Sequence, residues 1–189
     1  MINKIYEIFQ HIGLSNEQTE KMSSIFKHTL ELKKGEFFYT NAQICHKIGF
    51  MEQGMLRYYY DTDKSEVTRW VALEGDFVTS LGSFISQKQV KENIQAIQNT
   101  KIIYTIREDW NKIYQEEQFV REFWTSAMEE NYIGIENRLF NMIALSAEER
   151  YEWILKNYPK FNLYIPDKYL ASMLGITPRH LSRIRGKRK

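Results

Sequence analysis

A chain of 189 residues, 43% hydrophobic and 26% charged, is long enough for one large or two small domains with a buried core. No apolar run approaches the length of a membrane span, and the start Met1-Ile2-Asn3-Lys4 lacks a signal-peptide apolar stretch, so a cytoplasmic protein with no membrane partner is expected. The single Cys45 excludes an internal disulfide, and the net charge of +2 hides a division: six basic residues and no acid fall in 179–189, leaving the remainder at −4.

Residues 1–30 predict two helices. Ile5, Ile8, Phe9 and Ile12 form a helical stripe that Gly13 interrupts. Ser15 with Gln18 three places on is a capping box for a restart that carries Met22, Ile25 and Phe26. Both read as packing elements.

From Leu32 to Ile106 the pattern changes to short aromatic and β-branched runs, at 36–39, 44–50, 55–60, 67–73, 93–97 and 101–106, separated by glycines and polar breaks. Strands at such spacing predict a barrel or sandwich, with Asp61-Thr62-Asp63-Lys64 closing a hairpin. From Arg107 helical period takes over. Asp109 is placed to cap a short helix with Trp110 and Ile113. A helix over about 117–144 then carries Val120, Phe123, Ala127, Met128, Asn131, Ile135, Leu139 and Met142 on a rough seam. About 28 residues at 1.5 Å each span roughly 40 Å, a length suited to joining domains or pairing with a second copy. Ser146 and Glu149 form another capping box, for a helix with Tyr151, Ile154 and Leu155 that ends at Tyr158-Pro159.

The last stretch predicts two helices about a glycine. Leu170, Ala171 and Leu174 share a face, Gly175 ends the first helix, and Thr177 caps a second with Pro178 at its first position. Leu181 and Ile184 give the second helix its buried stripe. Ala171 followed by Gly175, with apolar residues at 170, 174, 176, 181 and 184, fits a helix-turn-helix.

The order of β region, long helix and helix-turn-helix resembles the cyclic-AMP-receptor and fumarate/nitrate-reduction (Crp/Fnr) regulators. Lys33-Lys34-Gly35-Glu36-Phe37-Phe38, Phe50-Met51-Glu52-Gln53-Gly54-Met55 and Gly75-Asp76-Phe77 are similar to the first strands and the pre-cassette turn of that family's β-roll. The ending is similar to a short subgroup that stops after the recognition helix. The resemblance implies an α+β chain: a β-roll with N-terminal helices over 1–115, a connecting dimerisation helix over 116–145, and a helix-turn-helix domain over 146–189.

Family members that bind cyclic nucleotides use Gly-Glu for the ribose and Arg-Ser for the phosphate. Here Gly82 is followed by Ser83, and Glu92-Asn93 fall at the Arg-Ser position. A carboxylate there repels a phosphodiester, so cyclic AMP is not expected, no cofactor is required, and another small effector would meet Gly82, Ser83, Phe84, Ile85, Glu92 and Asn93. Iron–sulfur sensing needs more cysteines than Cys45, and His11, His28, His46 and His180 are too scattered to suggest a metal site.

The resulting expectation is a non-enzymatic DNA-binding regulator acting as a homodimer on two-fold symmetric duplex DNA, with RNA polymerase a further partner if it activates. Arg179, His180 and Arg183 are assigned to bases, Arg183 matching the family's guanine reader. Thr177, Ser182, Arg185, Lys187, Arg188 and Lys189 are assigned to phosphates. The competing readings are a metal-dependent cupin-like enzyme, for which the β region supplies only His46, and a general polyanion or RNA binder, for which the tail lacks interleaved aromatic residues.

Overall fold

The computed structural model describes residues 4–187. Helices α1 (Lys4–His11) and α2 (Asn16–Ser24) precede strands β1 (His28–Leu32), β2 (Phe37–Tyr39), β3 (Lys47–Gln53), β4 (Met55–Asp61), β5 (Glu66–Leu73) and β6 (Phe77–Val78). Helix α3 (Leu81–Ser86) interrupts before β7 (Glu92–Ala96) and β8 (Thr100–Ile106). Six helices follow in the order α4 (Arg107–Glu116), α5 (Gln118–Ala144), α6 (Ala147–Asn157), α7 (Pro159–Tyr164), α8 (Asp167–Met173) and α9 (Pro178–Gly186).

The strands form two four-stranded sheets, in the orders β1-β8-β3-β6 and β2-β7-β4-β5, and every pairing is antiparallel. The architecture is the expected α+β one, a β-roll followed by a long helix and a helical C-terminal unit. Between the sheets and the N-terminal helices lies a core of Phe38, Phe50, Leu56, Ile94 and Ile102, joined by Ile5, Phe9 and Met22. Phe9 is fully buried, its ring 5.7 Å from Phe77 and 6.0 Å from Phe123 of α5. The start of the long helix is thereby part of the roll's own core.

The C-terminal unit has a second core of Tyr151, Ile154, Phe161, Leu170, Leu174, Leu181 and Ile184, which continues into Met55, Val71 and Ile97 of the β-roll. Trp70 of β5 packs edge-on against Tyr158 and Phe161, each at 4.9 Å between centroids. β5 is an edge strand, and its Thr68 N–H donates to Ser172 Oγ of α8 at 2.9 Å. The helix-turn-helix is therefore docked on the sheet.

Local signals are reproduced at both capping boxes: Ser15 with Gln18 opens α2, and Ser146 with Glu149 opens α6. Three elements differ from expectation. The second N-terminal helix stops at Ser24, and His28–Leu32 joins the sheet because β8 supplies a partner along its whole length. α4 begins at Arg107 behind Ile106, with no side-chain cap; Asp109 lies inside it. Residues 159–164 form the separate helix α7, with Pro159 at its start, where the missing N–H leaves no helical bond unmade.

Candidate nucleic-acid interface

α9 is set up from its first residue. Thr177 Oγ1 accepts the His180 N–H at 3.2 Å, and Pro178 occupies the first turn. Leu181 and Ile184 are buried against α8, which leaves Arg179, His180, Ser182 and Arg183 on the solvent side. Gly175 makes the turn with φ of +69°, a conformation that disfavours side chains, and a Cβ there would stand 3.0 Å from Met142 Cε of α5. The three residues assigned to bases thus share one exposed surface.

The residues assigned to phosphates divide. Ser182 is exposed beside the three residues assigned to bases, and Lys187 is exposed with a loose ion pair to Glu148 at 3.3 Å. Arg185 is not available in this arrangement. Its guanidinium donates to Asp167 Oδ1 at 2.7 Å, Asn162 Oδ1 at 2.9 Å and Tyr151 Oη at 3.0 Å, clamping α9 to α6, α7 and α8. Thr177 uses its hydroxyl as the helix cap. Arg188 and Lys189 lie outside the described residues.

The expected seam of α5 also divides. Val120 is fully buried and Phe123 packs on Phe9 and Phe77, so neither is on a surface that a second copy would meet. Ala127, Met128, Asn131 and Ile135 line a cavity behind the helix, and Met142 reaches the Gly175 turn. Asn131, Ile135, Leu139 and Met142 of the seam are exposed, Leu139 the most among its apolar members; the helix's other outward apolar residues are Tyr132, Ile133, Phe140 and Ile143. Apolar and polar residues alternate round α5 with no preferred side, so there is no single stripe to read, which is why the sequence pattern merged two faces.

The cavity between the sheets and α5 has a volume of about 590 Å³. Of the six expected effector residues it takes in Gly82 and Glu92. Ser83 is buried, with its Oγ accepting the Cys45 N–H at 3.0 Å and donating to Lys88 O at 2.7 Å. Phe84 is buried beneath Trp124 and Arg107, Ile85 faces solvent, and Asn93 bridges the Asn41 N–H and Asp61. Ser83, Phe84 and Ile85 point away from the cavity because they follow Gly82 round the turn of α3, and Asn93 does so because it alternates with Glu92 along β7.

Arg69 is the residue that sequence reasoning missed. Tyr58 pairs with Trp70 and Tyr59 with Thr68, so Arg69 is the extra residue of a β-bulge. The bulge directs its guanidinium into the cavity, 2.6 Å from Glu92 Oε1 and over the Tyr58 ring at 4.9 Å. Burial holds the Tyr58 phenol well above its ordinary value, with the Arg69 charge opposing. Ser80 Oγ, also lining the cavity, is buried without a hydrogen-bond partner. No sequence signature marks the bulge, since Thr68-Arg69-Trp70 reads as an ordinary half-exposed strand.

Neither a family model nor a curated protein sequence matches the chain. Solved structures do. A CooA mutant from Carboxydothermus hydrogenoformans is 16% identical, with a TM-score of 0.72 over 99% of this chain and 84% of that one. FixK2 from Bradyrhizobium japonicum is 15% identical, with a TM-score of 0.73 over 85% and 83%. A protein from Eubacterium rectale, described as a regulator of the Crp/Fnr family, is 18% identical, with a TM-score of 0.67 over 95% and 85%. The chain has the fold of Crp/Fnr-type regulators: a β-roll like a cyclic-nucleotide-binding domain, a long helix and a helix-turn-helix. Among the described residues, no helix is long and apolar enough to cross a membrane.

Proposed function

We propose that the chain is a sequence-specific DNA-binding transcriptional regulator that works as a homodimer in the cytoplasm. The observation that carries this reading is α9, which holds Arg179, His180 and Arg183 together on a solvent face while Leu181 and Ile184 seat its other side. Guanidinium groups suit the two acceptors on the major-groove edge of guanine, and Ser182 and Lys187 flank them at positions suited to phosphates. Arg185 holds the reading helix in place. A second copy would pack on the outward residues of α5, Ile133, Phe140 and Ile143, which are otherwise a large apolar exposure for a water-soluble surface. RNA polymerase is a further partner where the bound regulator activates.

The cavity behind α5 is the place for an effector other than cyclic AMP. Glu92 already neutralises Arg69, so a phosphodiester entering there would meet a carboxylate beside the one cation it needs. Calorimetric titration with cyclic AMP should show no micromolar binding; a micromolar isotherm overturns this part of the reading.

Purified protein should select, from random duplex DNA, a two-fold symmetric sequence with half-sites about 34 Å apart, roughly one helical turn. Recovery of no preferred sequence, or of a motif without two-fold symmetry, overturns the DNA reading.

A further inference from the structure

A second cleft, which adjoins the β-roll cavity and shares Tyr60, Arg69, Trp70 and Ile135 with it, opens where β5, the end of α5, α6 and α8 meet, with a volume of about 460 Å³. Its walls include Trp70 and Trp153, with Ile135 and Met142 from the long helix. Three arginines line it, Arg69, Arg138 and Arg150, and no Asp or Glu does. Their charges are met differently. Arg69 is paired with Glu92. Arg150 donates to Leu174 O at 3.0 Å and Leu145 O at 2.7 Å, the carbonyls at the ends of α8 and α5, where a cation complements the helix dipoles.

Arg138 has no such partner. It is half-buried and makes no hydrogen bond or ion pair among the described residues; its guanidinium lies 4.4 Å from the centre of the Trp70 ring. Burial and the neighbouring Arg69 charge both act to lower its pKa, as expected for a cation left without a counter-charge. A guanidinium in that state retains hydrogen-bond donors with no protein acceptor, at the edge of an apolar cleft.

We propose that this cleft is a binding site for a small amphipathic organic anion, whose apolar or aromatic body packs between Trp70 and Trp153 and whose acidic head takes Arg138. Such a ligand would touch the β-roll, the long helix and the first helix of the helix-turn-helix together, beside the Thr68–Ser172 hydrogen bond. A neutral ligand of the same shape leaves Arg138 unmatched, and a phosphodiester nucleotide is not required. The site is argued from the cleft alone; its influence on DNA binding rests on the function proposed above.

The test uses the full chain and 8-anilinonaphthalene-1-sulfonate, an aromatic anion whose fluorescence rises in apolar sites, with indole-3-acetate and neutral indole-3-acetamide as competitors. Saturable one-site binding is expected, displaced by the acid at concentrations about tenfold lower than by the amide, as for one charge-assisted hydrogen bond. Arg138→Gln should weaken probe binding about tenfold and Arg138→Lys less than about threefold, since the charge persists. Ala127→Phe, which fills the β-roll cavity instead, should leave it unchanged. Unchanged binding in Arg138→Gln, equal displacement by acid and amide, absence of one-site binding, or loss in Ala127→Phe alone would each overturn the proposal. So would an Arg138→Gln variant that dissociates the dimer yet still binds the probe, because Arg138 would then serve a second copy. All of these readings are made without DNA, so failure of the anion site and failure of the DNA reading appear in different experiments.

Discussion

The two halves of α5 have similar apolar content and opposite surroundings. In the first, Val120 is fully buried, Phe123 meets Phe9 edge-on, and Trp124 packs on Trp110 at 5.1 Å. In the second, Ile133, Leu139, Phe140 and Ile143 are between 56% and 77% exposed. The first half completes the β-roll's core, so its apolar residues already have partners within one chain. The second passes over the cleft and has no further layer outside it. Apolar surface left in this way is the part of the helix that association with another molecule would stabilise.

That contrast can be broken from either side. The largest expected effect is Trp110→Ala, which empties the space beneath Trp124 and should cost about 3–5 kcal/mol in chemical unfolding of the folded chain. A loss below about 1 kcal/mol would mean that the first half is not core. Next, the double change Phe140→Glu with Ile143→Glu should weaken self-association about a hundredfold, since charge must then be desolvated at the contact, while far-ultraviolet circular dichroism keeps its helix content. An unchanged mass by light scattering at micromolar concentration would show that Phe140 and Ile143 do not hold a second copy. Arg183→Ala should cost about 1–3 kcal/mol on the selected DNA and relax preference at one base position; an equal loss on random DNA would remove it from base reading.

The smallest effect concerns the end of the long helix. Ser146→Ala removes the cap of α6 and should cost about 1 kcal/mol. Glu149, its reciprocal partner, is held below the usual carboxylate range first by the Ser146 hydroxyl and then by the Ser146 N–H. A depressed folded pKa gives stability that is present above the unfolded value and lost as pH falls through the folded one, so the wild-type advantage over Glu149→Gln should shrink on acidification through the carboxylate range. An advantage that does not change with pH would show that charge plays no part in the cap.

Legibility followed the range of the interactions. The caps at Ser15, Ser146 and Thr177 and the left-handed Gly175 are decided within a few residues, and the sequence predicted each of them. The order of roll, long helix and helix-turn-helix was visible for the same reason, through periodicity. What was not visible depends on partners far along the chain. β1 is a strand because β8, about 70 residues later, pairs with it. Arg69 faces Glu92 only because of the bulge opposite Tyr58 and Tyr59. Arg185 looks like one more basic residue of a tail until Asp167, Asn162 and Tyr151 are brought round it. At the candidate interface, the exposed trio of Arg179, His180 and Arg183 was read from helical spacing; the clamp that orients it was not.

The hydrogen bond from Thr68 to Ser172 has a meaning for solubility as well as for architecture. β5 closes one end of its sheet, and an open strand edge invites pairing with the edge of another molecule. In the docked arrangement α8 covers that edge and occupies one of its outward N–H groups. Any movement that carried the helix-turn-helix away would uncover Thr68 together with the apolar Val71 and Met55, so the resting position of this helical unit also guards the roll against strand-to-strand aggregation.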